Sequence, residues 1–132
     1  MKRCVIVGGA DIGNCENIIR SVKKDDFLIY CDSGLKHMER IGRKPDLIVG
    51  DFDSHENPHL DIETIVLPTV KDDTDTVYAA KEALKRGFDE FLLTGVIGQR
   101  FDHSMANIGI LIMLTNQNKK AVIIDDWSQI HR

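Results

Sequence analysis

The chain has 132 residues, 42% hydrophobic and 29% charged, the size and mix of one globular domain rather than of a disordered, collagen-like or coiled-coil chain. With Lys+Arg at 17 and Asp+Glu at 21 the net charge is −4, which offers no basic footprint for nucleic acid or an anionic membrane. Cys4, Cys15 and Cys31 are odd in number and lack CxxC spacing, and two of them sit in apolar runs, so buried thiols in a reducing compartment are expected rather than a disulfide framework.

In chain order, "CVIVG" (4–8) is read as a first strand, since its apolar run is too short for a signal peptide and breaks at Gly8-Gly9 and Asp11. "NCENIIRSVKK" (14–24) has helical spacing, "FLIYC" (27–31) is a strand, "GLKHMERIG" (34–42) a helix, and "DLIVG" (46–50) and "TIVLP" (64–68) are strands. "DTDTVYAAKEALKRG" (73–87) is the best-marked helix: Asp73 or Thr74 caps it, Val77, Ala80, Ala83 and Leu84 form an apolar stripe, and Gly87 closes it. Then come the strand "EFLLTG" (90–95), a helix in "DHSMANIGILIMLTNQ" (102–117) with Asp102 as cap, and the strand "AVIID" (121–125). The tail "VIIDDWSQIHR" carries no final helix and reads as the start of another strand. Strands that are apolar throughout are covered on both faces. The pattern predicts an α/β fold in three layers, a mostly parallel sheet of about five or six strands with helices on both faces. No run approaches the roughly 18 apolar residues of a membrane span, so a cytoplasmic protein is expected.

In a parallel sheet all strands point one way, so "CDSG" (31–34), "GDFDS" (50–54), "PTVKDDTD" (68–75) and "TGVIGQRFDH" (94–103) should emerge along one edge. That is the edge where open α/β sheets bind ligands, and Asp32, Asp51, Asp53, Asp75 and Arg100 are candidates to line one crevice there. Period two puts Asp51 and Asp53 on one side of the strand and Phe52 on the other, with Asp46 a third acid at the start of the same run. Two carboxylates about 4 Å apart repel by roughly 4 kcal/mol at an effective dielectric of about 20, so such a pair needs a cation, a proton or open water. Hard oxygen ligands suit Mg²⁺, which implies a phosphorylated substrate; the same spacing also serves an acidic surface turn in which Asp53 or Ser54 caps a short helix. Asp72, Asp73 and Thr74 are residues a helix N-terminus prefers in any case, but Asp75 falls on the crevice edge, near Lys71 as a phosphate contact. Gly95 and Gly98 permit close backbone approach, and Arg100 offers a bidentate phosphate contact; the same stretch also serves as a turn with Asp102 as cap.

"GGADIG" (8–13) lacks the GxGxxG register and no P-loop GK[ST] occurs, so it is read as a strand-to-helix turn near the site. His37, His55, His59 and His131 lack metal-ligand spacing, and only His103 lies within a motif.

The ordered set "CDSG", "PDLIVGDFDS", "KDDTD" and "GVIGQRFDH", followed by Asn107, resembles the catalytic domain of thiamine pyrophosphokinase over nearly the whole chain, Val5 to Asp125. The resemblance implies transfer of the terminal pyrophosphoryl group of ATP to the hydroxyl of thiamine, giving thiamine diphosphate and AMP, with Mg²⁺ required. It implies Asp51, Asp53 and Asp75 as metal ligands, and Asp32, with Ser33 and Gly34 of the same motif, on the nucleotide side. Arg100 and Asp102 match the family's phosphate-side pair, His103 completes RxDH, and Lys71, Thr74, Gly95 and Gly98 flank the same groups. Asp75 or Asp102 would accept the hydroxyl proton. Gln99 departs from the pattern, standing where many relatives have a second glycine. The family continues into a C-terminal β-rich domain that forms a homodimer and part of the thiamine pocket. By this reading residues 1–125 are the catalytic domain and residues 126–132 the start of that missing domain. Two alternatives remain open: an Mg-dependent aspartyl phosphatase of the haloacid dehalogenase type, with Asp51 as nucleophile and Asp53 as general acid, and a non-catalytic nucleotide-binding module.

Overall fold

The computed structural model describes residues 3–9, 16–50, 62–66, 75–95, 109–110, 112–124 and 129–131. The elements are β1 (Arg3–Val7), α1 (Glu16–Ser21), β2 (Phe27–Cys31), a 3₁₀ helix (Asp32–His37) running into α2 (Met38–Ile41), β3 (Leu47–Gly50) and β4 (Thr64–Val66). They continue with α3 (Asp75–Lys85), β5 (Glu90–Thr94), helical residues 109–110 and 112–116 (α4), β6 (Lys120–Ile124) and β7 (Gln129–His131). Among the described residues these strands form one sheet in the order β4-β3-β2-β1-β5-β6-β7. β1 to β6 pair in parallel, as expected, and β7 adds an antiparallel strand on β6 with Ile123 opposite Ile130. The six apolar runs all form strands, while β7 lies in a tail whose polar residues give no apolar run.

Alternation along β1 divides the core into two layers. Cys4 and Ile6 face one side, where Ile29, Cys31, Leu47, Val49, Phe91, Leu93 and Ile123 meet Ala79, Ala80 and Ala83 of α3 and Ile110 and Leu114 of α4. Val5 and Val7 face the other, with Leu28, Tyr30, Ile48 and Leu92, under Ile18 of α1, Leu35 of the 3₁₀ helix and Ile41 of α2. Helices therefore cover both faces, the three-layer arrangement expected. The buried stripe of α3 is Thr76, Ala79, Ala80 and Ala83, whereas Val77 and Leu84 of the predicted stripe are only partly buried. Alanines let the helix backbone settle close to the sheet, and the larger side chains then flank the contact line.

Helix ends follow their sequence signals. Gly87, at φ 93°, closes α3: its N–H donates to the Leu84 carbonyl (3.1 Å) and that of Phe88 to the Ala83 carbonyl (3.2 Å), the paired bonds of a Schellman cap. Asn118, at φ 61°, does the same for α4, with its own N–H to Thr115 and that of Lys119 to Leu114. The expected caps Asp73, Thr74 and Asp102 lie outside the described residues.

Ion pairs gather at the edge where the parallel strands begin. Arg3 grips Asp26 through Nε (3.2 Å) and Nη2 (2.6 Å), and the Lys23 N–H donates to the same carboxylate at 2.7 Å. Asp46, one residue before β3, accepts from the Leu28 N–H (2.9 Å) and donates its own N–H to the Leu28 carbonyl (2.8 Å). Arg86 binds Glu63 through two nitrogens (2.7 and 3.2 Å), binds Glu82 at 2.8 Å and stacks on the Phe27 ring, while Lys119 reaches Asp89 at 2.7 Å. The third acid of the Asp46–Asp53 run is thus a strand-pairing residue at the opposite end of β3 from Asp51.

Candidate functional site

The other edge, where the parallel strands end, carries none of those described ion pairs. The chain passes from β1 out to β2, β3 and β4, then returns to the far side of β1 for β5 and β6. Strand order therefore reverses between β1 and β5, and the crevice outside the carboxyl ends of two such strands is the ligand-binding position of open α/β sheets. Gly8 and Gly9 follow β1 there, and Gly95, at φ 67°, follows β5. The Gly8 N–H donates to the Thr94 carbonyl at 2.8 Å, extending the ladder one residue past β1.

Two contacts bring further motifs to this crevice. Gly34, in the 3₁₀ helix after β2, lies so close to the end of β1 that a Cβ there would fall 2.2 Å from the Val7 carbonyl oxygen and 3.0 Å from that of Gly8. The "DSG" backbone consequently packs directly on the tip of β1. On the opposite face, the Thr76 hydroxyl of α3 lies 3.8 Å from Cys31 Sγ at the end of β2, and both residues are buried. Asp75 precedes Thr76 and Asp32 follows Cys31, so this contact brings the backbones of the two acids to one place. The Cys31–Val49 register sets the end of β3 beside that of β2, about 4.8 Å across the ladder, and Gly50 leads from there into Asp51.

Of the predicted site residues, the backbone thus places Asp32, Ser33, Gly34, Asp75 and Gly95 along one edge. Asp51, Asp53, Lys71, Thr74, Gly98, Arg100, Asp102 and His103 lie outside the described residues. Among the described residues no group of three His, Cys, Asp or Glu side chains is close enough to hold a metal ion. Asp75 opens an eleven-residue helix, a position at which the helix dipole favours an acidic residue. Cys4 and Cys31 are buried free thiols, and burial pushes the Cys4 thiol well above its ordinary range, so it stays protonated and inert.

Sequence reading gave no role to Gly8-Gly9 beyond a turn and none to Thr76 or Thr94. Their importance comes from strand order, from which tips adjoin, and a single sequence does not reveal that. One signal was available for Thr94, a polar residue closing the otherwise apolar run "EFLLT".

Comparison with known proteins supplies the family. The family model described as "Thiamin pyrophosphokinase, catalytic domain" matches residues 19–124, a span that includes every acidic motif above. The chain belongs to that family. A thiamin pyrophosphokinase family protein of Enterococcus faecalis is 26% identical with a TM-score of 0.77, over 98% of this chain and 64% of that one. A probable thiamine pyrophosphokinase of Staphylococcus saprophyticus is 28% identical with a TM-score of 0.69, over 96% and 66%. The thiamine pyrophosphokinase of Bacillus subtilis, 24% identical with a TM-score of 0.78 over 96% and 61%, shares the fold. This chain therefore spans less than two thirds of the length of each of these structures. Comparison with curated protein sequences gives no match. Family membership also weighs against the phosphatase alternative, as does the position of "DFDS" after β3, the third strand of the chain, rather than after the first.

Proposed function

We propose that this thiamin pyrophosphokinase catalytic domain transfers pyrophosphate from ATP to thiamine, giving thiamine diphosphate and AMP. The observation that carries the reading is the family match over residues 19–124, joined to a fold in which the strand ends bearing those motifs share one edge. In the reaction the thiamine hydroxyl oxygen bonds to the β-phosphorus of ATP, the bond from that phosphorus to the α-phosphate oxygen breaks, and AMP leaves with the electron pair. Asp75 or Asp102 accepts the hydroxyl proton. Arg100 binds and neutralises the pyrophosphoryl oxygens, with Lys71 and His103 beside it, and Asp102 orients the arginine. Asp32, Ser33 and Gly34 line the nucleotide side, and Thr74, Gly95 and Gly98 admit the phosphates close to the backbone.

The donor set of Asp51, Asp53 and Asp75 consists of hard carboxylate oxygens, which fits Mg²⁺ and would hold it. When bound, the ion supplies charge neutralisation at the phosphate oxygens. Positioning and electrostatics of this kind are most of what phosphoryl chemistry asks of a protein. In this reading residues 1–125 are the catalytic unit, to whose sheet β7 (Gln129–His131) adds an edge strand, and the protein works as a homodimer. Among the described residues no helix is long and apolar enough to cross a membrane.

Calorimetric titration with Mg²⁺ and a non-hydrolysable ATP analogue, run beside an AMP-release assay with thiamine, tests the reading. Asp53→Asn should abolish Mg²⁺-dependent nucleotide binding while the far-UV circular dichroism stays unchanged; unaltered affinity removes Asp53 from the site. Binding without AMP release favours the nucleotide-binding module. Hydrolysis of a chromogenic phosphate ester without ATP would restore the phosphatase.

A further inference from the structure

Thr94 is fully buried, and its Oγ1 is a buried side-chain oxygen with no hydrogen-bond partner among the described residues. Leaving a hydroxyl in that state costs about 1–3 kcal/mol, and a valine of the same shape would avoid the cost. Alternation along β5 explains why no neighbour relieves it. Leu93 belongs to the α3 side of the core and Leu92 to the α1 side, so Thr94 falls on the α1 side. Its register partner there is Val7 on β1, and Ile124 follows Ile123, the partner of Leu93, on β6. Both flanking side chains are apolar and buried. Thr94 is the last residue of β5, so it stands at the crevice end of this layer, which Gly8, Gly9 and Gly95 border. The carbonyl of the same residue is already engaged by the Gly8 N–H, so the Thr94 backbone is fixed at the point where strand order reverses.

We propose that Thr94 is a positioning residue of this site: its hydroxyl is kept for the ligand-bound state, in which it holds an ordered water that bridges to a phosphate oxygen of the nucleotide outside β1 and β5. The inference rests on the nucleotide reading above and adds to it a residue and a role. The hydroxyl destabilises the free protein and is retained for binding, the kind of local inconsistency expected at functional positions.

Thr94→Val removes the hydroxyl with little change in shape, and Thr94→Ser keeps it without the methyl group. Each is compared with the unaltered chain by thermal unfolding without ligand and by calorimetric titration with Mg²⁺ and the ATP analogue. The valine variant should unfold at a temperature at least as high as the unaltered protein yet bind the analogue about tenfold more weakly, and serine should restore affinity to within about twofold. A valine variant that unfolds several degrees lower shows that the hydroxyl has a partner in the free protein and overturns the proposal. So does serine binding as weakly as valine, which would point to methyl packing. If the unaltered protein binds and the valine variant binds equally well, the role of Thr94 alone is refuted; if the unaltered protein does not bind at all, the nucleotide reading falls and takes this inference with it.

Discussion

Gly34 sets how closely the 3₁₀ helix can approach β1, because the atoms that a Cβ would meet belong to backbone that cannot swing aside. Gly34→Ala should therefore destabilise the domain by about 3 kcal/mol in denaturant titrations, the upper part of the range for overpacking; a loss below about 1 kcal/mol would mean that the β1 tip yields easily. In sequence this glycine was legible only as part of "DSG", since its steric reason lies in a strand tip far away in the chain. Glu63 makes a different point. Arg86, hydrogen-bonded to it, holds its carboxyl below the usual carboxylate range. A carboxylate with a depressed folded-state pKa adds stability at pH values above its ordinary unfolded range, and that stability is lost as pH falls through the depressed value. The side chain is 55% exposed, so solvent screening keeps the effect small. Thermal unfolding of Glu63→Gln should fall slightly below the parent at neutral pH and converge with it in acid; a gap that persists in acid would point to packing instead.

Element by element, the sequence carried most of the architecture, because strands apolar on both faces and capped helices are local signals. β2 runs over Phe27–Cys31 as read, β3 and β5 differ from their readings by one residue at one end, β1 starts and ends one residue earlier than read, and β6 starts one residue earlier. The α3 stripe was displaced, since the 3.6-residue period fits both Val77-Ala80-Ala83-Leu84 and Thr76-Ala79-Ala80-Ala83, and only the closeness of helix to sheet chooses the smaller set. The end of α3 was readable from Gly87 alone. A Cβ there would meet nothing within 4 Å, so Gly87→Ala isolates the backbone cost of a positive φ in the cap. That cost should be about 1 kcal/mol by chemical denaturation, with no change in ligand affinity; a neutral result would show that the turn can relax to another conformation.

At the scale of the whole molecule the two ends of the parallel sheet have different work. The edge where strands begin is fastened by Arg3–Asp26, Arg86–Glu63 and Lys119–Asp89, and α3 and α4 each end there in a backbone-satisfied cap. The edge where strands end joins glycines, acids and a buried hydroxyl without a hydrogen-bond partner among the described residues. What the sequence could not show is this division, because strand order decides which loops are neighbours, and the order β4-β3-β2-β1-β5-β6 is a property of the folded sheet.

The division predicts opposite behaviour for one chemical change made at either end. Asp26 is 7% exposed and holds both Arg3 and the Lys23 N–H, so Asp26→Asn leaves a partly buried guanidinium without its charge partner and should cost about 3 kcal/mol. For a domain of this size that lowers the unfolding temperature by roughly 10 °C. Saturation at about a hundredfold excess over Kd stabilises a protein by about 2.7 kcal/mol, and the Asp26 variant should keep that ligand-induced rise because the crevice is untouched. Asp53→Asn removes one of two neighbouring like charges, so the ligand-free unfolding temperature should hold or rise, while the increment from Mg²⁺ and nucleotide disappears. Thermal unfolding of the two variants, each with and without Mg²⁺ and the ATP analogue, reads both effects. If Asp26→Asn loses the ligand increment as fully as Asp53→Asn does, the ends are not separable and stability and binding share the same contacts.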